Sequence, residues 1–290
     1  MSLIEVAIER AKKIAGTDLH RTAREPLRES TKEPEEPPVV PRGEARPHPD
    51  AAAVAARTAQ ARVLPVAGVD ANAMERNGVL LHVTDTAAQR SYRILRTRVQ
   101  QRMQAQGWHS LAVTASGVGE GKTLTAINLA ISLARDINTW VYLVDLDLQR
   151  PMVSTYLGLK FEKGLSDYLA GNASFDEILY NPGAERLGII PNSQRIEHSS
   201  DLLGSPRLRE LCQSLAAERP RPLVIFDLPP ILMSDDVLKV APHVDCTLFV
   251  VSEGLTSRSM LQRASEALQD MNLLGVVLNR SAEQEQKGYY

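Results

Sequence analysis

Lys122 and Thr123 close a short run, "GVGEGKT", that sets three glycines, Gly117, Gly119 and Gly121, directly before a lysine and a hydroxyl. A loop this rich in glycine lets backbone N–H groups close around phosphate oxygens, and a helix N-terminus behind it adds partial positive charge. Lys122 has the reach for β and γ phosphates, and Thr123 offers a hydroxyl to Mg²⁺. The run is one residue short of the usual spacing at its start. Ser116 stands where the first glycine normally lies. Three carboxylates could serve such a phosphate. Asp145 and Asp147 end "VYLVDLD" at a spacing of two, which on a strand turns both side chains to one face. Asp227 ends "LVIFD" before Leu228, Pro229 and Pro230. Hard oxygen ligands of this kind suit Mg²⁺.

These groups need elements that bring them to one rim. "SLAVTAS", "WVYLVDLD", "LGIIP", "PLVIFDLPP", "CTLFVVSEG" and "LLGVVLNR" are continuous apolar runs. Amphipathic stretches such as "PRLRELCQSLAAE" and "SRSMLQRASEALQDM" alternate with them. That pattern predicts an α/β fold with a mainly parallel central sheet flanked by helices on both faces. In an open parallel sheet, ligands bind beyond the carboxyl ends of the strands. The loop and the three aspartates are therefore expected together.

The folded domain is expected over residues 78–281. It begins with a basic helix at "TAAQRSYRILRTRVQQRMQ", with Tyr92, Leu95, Val99 and Met103 on one face. Residues 1–16 predict an amphipathic helix: Ser2 and Glu5 fit a capping box, Gly16 suits the stop, and Ile4, Ala7, Ile8, Ala11 and Ile14 recur at helical spacing. Residues 17–77 carry eight of the chain's 17 prolines and read as a disordered, semi-extended tether. Residues 282–290, "AEQEQKGYY", predict a flexible tail bearing a tyrosine pair.

The 290 residues carry a formal net charge of -2, which gives no overall basic field for nucleic acid. No apolar run reaches the roughly 18 residues that span a bilayer. Cys212 and Cys246 lack CxxC spacing and read as buried thiols in a reducing cytoplasm. The six histidines are scattered, so no transition-metal site is expected.

At these motifs the sequence resembles the bacterial tyrosine kinases of polysaccharide export, the BY-kinases, which belong to the deviant phosphate-loop ATPases. "GVGEGKT" resembles their Walker A, "LVDLDLQRP" their A′ box and "VIFDLPP" their Walker B; "GLSDYLAG", "SSDLLGSPRLREL" and "GVVLNR" follow in the expected order. The resemblance implies an ATP- and Mg²⁺-dependent protein-tyrosine autokinase that regulates exopolysaccharide polymerisation and export. In it, Gly117, Val118, Gly119, Glu120, Gly121, Lys122, Thr123 and Leu124 would cradle the nucleotide. Asn279 and Arg280 would read the adenine, and Thr123, Asp147 and Asp227 would serve the metal. Asp145 would activate the incoming tyrosine hydroxyl, and Tyr289 and Tyr290 would be the acceptors. Arg93 and Arg96 match a motif of the subunit interface, implying a homo-oligomer. A membrane chain-length-determinant protein is the implied partner, recruiting a cytoplasmic domain to the plasma membrane. Two departures stand out. Gln149 occupies the usual arginine position of the A′ box, and Arg90 replaces the glutamate of the interface motif. They favour, as alternatives, a switch ATPase like the septum-positioning and partition relatives, or a nucleotide-bound adaptor.

Overall fold

The structure, a computed structural model, describes residues 64–281 apart from positions 65, 84, 85, 193, 198 and 219. The expected N-terminal helix, most of the expected tether, and the tail with Tyr289 and Tyr290 lie outside the described residues. Six strands form one sheet in the order β3-β2-β4-β1-β5-β6: β1 (Ser110–Ala115), β2 (Val141–Asp145), β3 (Leu187–Ile190), β4 (Leu223–Asp227), β5 (Cys246–Ser252) and β6 (Leu273–Asn279). Every pairing is parallel.

Alternating residues of these strands feed two opposite cores. Leu111 and Val113 of β1, Leu143 of β2 and Ile225 of β4 pack on one face. Ala112, Tyr142, Val144 and Phe226 pack on the other. Both faces are apolar because both are covered, which is why the strand runs are continuous rather than alternating. The first face is roofed by α2 (Ala87–Gln106) and α3 (Lys122–Ala134); the second is roofed by α7 (Pro206–Ala217) and α9 (Arg258–Ala267). Before α2 lies α1 (Ala71–Arg76); α4 (Val153–Leu157), α5 (Leu165–Leu169) and α6 (Ser199–Leu203) fall between β2 and α7, and α8 (Asp236–Val240) follows β4.

Caps fix the helix starts. Thr86 Oγ1 accepts from the Gln89 N–H at α2, Ser257 Oγ from the Met260 N–H at α9, and Asp70 Oδ1 from the Asn72 and Ala73 N–H groups at α1. Helix α3 has no side-chain cap. Its first N–H groups are left for another acceptor.

The last stretch of the region expected to be tether, residues 64–77, is packed onto the domain. Met74 is buried, and Asn77 Nδ2 donates 3.3 Å to the carbonyls of Thr155 and Tyr156. Just beyond, Asn128 of α3 accepts the Leu80 N–H at 2.9 Å and donates to the Gly78 carbonyl at 3.0 Å. Pro65, Gly68 and small residues disguise this segment in the sequence. Two buried apolar anchors, Leu64 and Met74, and a capped turn dock it. No helix among the described residues is long and apolar enough to cross a membrane.

Candidate active site at the carboxyl rim of the sheet

Strand β1 ends at Ala115, the glycine loop turns over it, and α3 starts at Lys122. Two loop glycines hold left-handed backbone, Gly119 at φ 82° and Gly121 at φ 92°. Gly121 is confined in space as well, because a Cβ there would overlap the Asn279 carboxamide. Lys122 rises from the helix start into a carboxylate group. Its Nζ lies 2.7 Å from Asp147 Oδ2, 3.5 Å from Asp227 Oδ1 and 3.1 Å from Thr123 Oγ1. The Thr123 hydroxyl donates to Asp227 Oδ2 at 2.7 Å.

The sheet register explains the convergence. Asp145 and Asp227 are direct partners across β2 and β4. Strand β2 stops at Asp145, so Asp147 sits in the following loop rather than on the strand, as the spacing had suggested. It still reaches the same lysine, because Leu146 and Leu148 on either side are buried and hold the loop down. Asp147 Oδ1 accepts the Arg150 N–H at 3.0 Å.

Burial and charge set the protonation of this group. Burial first, and the facing Asp227 charge second, push Asp145 well above the ordinary carboxylate range. The Val153 N–H, donating 3.0 Å to Asp145 Oδ2, and the Lys122 charge pull partly the other way. Burial also raises Asp227, opposed by Lys122 and the Thr123 hydroxyl. For Lys122, burial works against the ammonium, but the charges of Asp227, Asp147 and Asp145 outweigh it and hold its pKa above the usual lysine value. A carboxylate with a raised pKa and a free oxygen is suited to accept a proton from an incoming hydroxyl. Asp145 Oδ1 is buried without a hydrogen-bond partner.

Two more buried hydroxyls at strand ends, Ser116 Oγ after β1 and Ser252 Oγ at the end of β5, also lack partners. Orphaned polar atoms around an uncapped helix start fit a polar ligand bound among them. No group of three or more carboxylate, imidazole or thiol ligands converges on one point among the described residues. The donor set is a hydroxyl and one or two carboxylates. That suits Mg²⁺, which keeps waters and takes substrate phosphate oxygens rather than an all-protein cage.

The other expected residues fall as follows. Glu120 is buried behind the loop, Val118 stands exposed at its tip, and Leu124 is half-buried against the α3 face of the core. Asn279 Nδ2 donates to the Glu120 carbonyl at 3.0 Å, so it touches the loop rather than an open pocket. Arg280 is exposed, with a left-handed φ of 55°. Arg96 Nη1 of α2 donates 3.1 Å to the Ser132 carbonyl of α3 in the same chain, whereas Arg93 is exposed. Gln149 is held by residues in and before α6 and α8. Its Nε2 donates to Ser234 Oγ at 3.0 Å, Ser199 Oγ at 3.3 Å and Asp236 Oδ2 at 3.4 Å. Sequence reasoning missed Thr256, whose hydroxyl donates 2.5 Å to Glu120 Oε1 across 136 residues. No motif marks it.

The family model described as the CobQ/CobB/MinD/ParA nucleotide binding domain matches residues 111–289. The chain is 29% identical over 221 residues to the tyrosine-protein kinase YwqD of Bacillus subtilis, an alignment covering 75% of this chain and 92% of YwqD. The kinase domain of Escherichia coli tyrosine kinase ETK superposes with a TM-score of 0.64 at 27% identity, covering 73% of this chain and 84% of that domain. The septum site-determining protein MinD of Pyrococcus horikoshii, complexed with Mg-ADP, shares the fold with a TM-score of 0.51 at 23% identity over 61% of this chain and 72% of its own.

Proposed function

Because the chain belongs to the CobQ/CobB/MinD/ParA nucleotide-binding family, we propose that it is an ATP-dependent protein-tyrosine autokinase of exopolysaccharide polymerisation and export. The observation that carries this reading is the clustering of Lys122, Thr123, Asp147 and Asp227 within 2.7–3.5 Å at the start of α3. The kinship to YwqD and to the ETK kinase domain supports tyrosine as the acceptor.

The loop N–H groups and the α3 N-terminus bind the phosphates, with Lys122 moving from its carboxylates to the β and γ oxygens. Thr123 and Asp227, with Asp147, would hold Mg²⁺, which when bound would neutralise phosphate charge. Asp145 takes the tyrosine proton on Oδ1 as the hydroxyl attacks the γ-phosphorus and ADP leaves. Asn279 and Arg280 border the adenine. Tyr289 and Tyr290 are the acceptors, presented by a neighbouring copy whose contact includes Arg93 and Arg96. A membrane chain-length-determinant protein is the proposed partner, engaged through residues 1–16. Recovery of that partner in a pull-down equal with and without residues 1–20 refutes this last role.

The activity is tested by incubating the purified chain with Mg·ATP and reading phosphopeptides by mass spectrometry. Phosphate on Tyr289 or Tyr290, absent in Lys122→Met, is expected. Turnover of ATP with both tyrosines unmodified points instead to a switch ATPase, the reading that Gln149 in the usual arginine position favours.

A further inference from the structure

The glycine loop does not stand alone at the rim. Behind it runs the segment from the end of β5 to the first turn of α9, residues 252–260, and this segment meets the loop three times. Leu255 lies beside Gly119, with its Cδ2 3.9 Å from where a Cβ would sit. Met260 packs so closely on Gly117 that a Cβ there would come within 2.7 Å of its Cε. Between these apolar contacts is one polar one. The Thr256 hydroxyl donates 2.5 Å to Glu120 Oε1, while Glu120 Oε2 accepts the Gly117 N–H at 3.0 Å.

Glu120 is therefore not aimed at a ligand. It is 1% exposed, and both carboxylate oxygens are taken by groups of the protein. Thr256 is fixed in turn, because its Oγ1 accepts the Ser252 N–H at 2.9 Å and its own N–H donates to the Ser252 carbonyl at 3.0 Å. On the opposite side, Asn279 at the end of β6 donates to the Glu120 carbonyl, and the Glu253 N–H donates to the Asn279 carbonyl at 2.9 Å. The loop is thus tied to β5 and β6, which order it before any phosphate arrives. Donors that are already in place need no reorganisation when negative charge reaches them.

We propose that Thr256 is a positioning residue for the nucleotide: through the buried Glu120 carboxylate it holds the Gly117 end of the loop in its phosphate-binding shape. The proposal rests on the nucleotide-binding reading above, but it adds a residue that lies outside every motif of the loop and touches no ligand itself. Only one hydroxyl fills the role, since Glu120 meets no cation within bonding distance among the described residues. Serine retains that hydroxyl, and valine keeps the shape without it.

The test compares wild type, Thr256→Val and Thr256→Ser in the full chain. Each is titrated with a fluorescent ADP analogue in the presence of Mg²⁺, and each is melted without nucleotide. A hydrogen bond to a charged acceptor is worth enough that its loss should weaken ADP binding about tenfold in Thr256→Val. Thr256→Ser should bind within about twofold of wild type and melt close to it, whereas Thr256→Val, which leaves a buried carboxylate oxygen unpartnered, should also melt lower. Binding by Thr256→Val equal to wild type overturns the proposal. So does an equal loss in Val and Ser that tracks melting temperature, which would mean a general packing role. Amide hydrogen exchange on the nucleotide-free wild type needs no variant. The Gly117 N–H should exchange more slowly than those of Val118 and Gly119; equal, fast exchange at all three refutes the brace. Absence of ADP binding by wild type would refute the functional reading, and the exchange result would still decide the brace.

Discussion

Replacing Gly121 by alanine should cost more than replacing Gly119, although both glycines sit in left-handed backbone two residues apart. An L-residue at either φ, 92° or 82°, loses about 1–2 kcal/mol to its Cβ. At Gly119 nothing is added, because the nearest atom, Leu255 Cδ2, would lie at ordinary contact distance, 3.9 Å. At Gly121 the new methyl would occupy the place of the Asn279 carboxamide. Asn279 can yield only by giving up its 3.0 Å bond to the Glu120 carbonyl, a further loss of about 1 kcal/mol. In a domain of this size, each kcal/mol lowers the melting temperature by about 2–4 °C. Urea and thermal unfolding of the nucleotide-free protein, followed by circular dichroism, should therefore place Gly121→Ala at least about 2–4 °C below Gly119→Ala. Asn279→Ala alone should destabilise, yet cost nothing more in the Gly121→Ala background, because the collision is then gone. Equal losses in the two glycine variants, or a double mutant whose losses add, would refute the argument that Asn279 defines this end of the loop.

Asp145→Asn removes a buried charge that faces Asp227, while an amide oxygen can still accept the Val153 N–H. The nucleotide- and Mg²⁺-free variant should melt higher than wild type at pH 7, and its phosphotransfer should fall by about 10²–10⁴-fold if Asp145 takes the proton; a lower melting point or unchanged transfer would contradict this. Gln149→Arg should stabilise by about 1–2 kcal/mol, because Asp236 Oδ1 is buried without a partner and a guanidinium offers a second donor beside Oδ2; denaturant unfolding reads the change, and a loss would show that the pocket cannot take the larger group. Burial pushes the Cys212 and Cys246 thiols up to about 12 from an ordinary 9.0. Both should resist a disulfide reagent at pH 8 until urea is added. Unfolded thiols ionise first, so they hold fewer protons than the folded ones, and stability should fall as pH rises through the window from 9 to 12.

Much of the site is legible because its parts are local. A buried strand, a glycine loop and a helix start are contiguous in sequence, and the parallel sheet follows from apolar runs that never alternate. Asp145 and Asp227 could be placed at one rim because both end such runs. What could not be read depends on contacts far apart in the chain. Thr256 serves Glu120 from 136 residues away, and nothing in "EGLTSRS" distinguishes it from an ordinary helix-capping serine or threonine. Asp147 appears to share a strand face with Asp145 in the sequence. The strand, however, ends where β2 loses its β3 and β4 partners. The docking of residues 64–77 turns on Leu64, Met74 and the Asn77 amide, which no composition reveals.

The lysine among the aspartates has a consequence for how the two ligands enter. With neither bound, Lys122 offsets part of the negative charge of Asp147 and Asp227. Phosphate entering without the metal takes Lys122 away and leaves buried carboxylates facing new negative charge. Metal entering without phosphate would engage the carboxylates and leave a buried ammonium unopposed. Only their joint arrival exchanges every partner for another of the same sign. Nucleotide and Mg²⁺ should each tighten the other, by the same factor in both directions. The resting ion pairs would thus act as a coincidence gate.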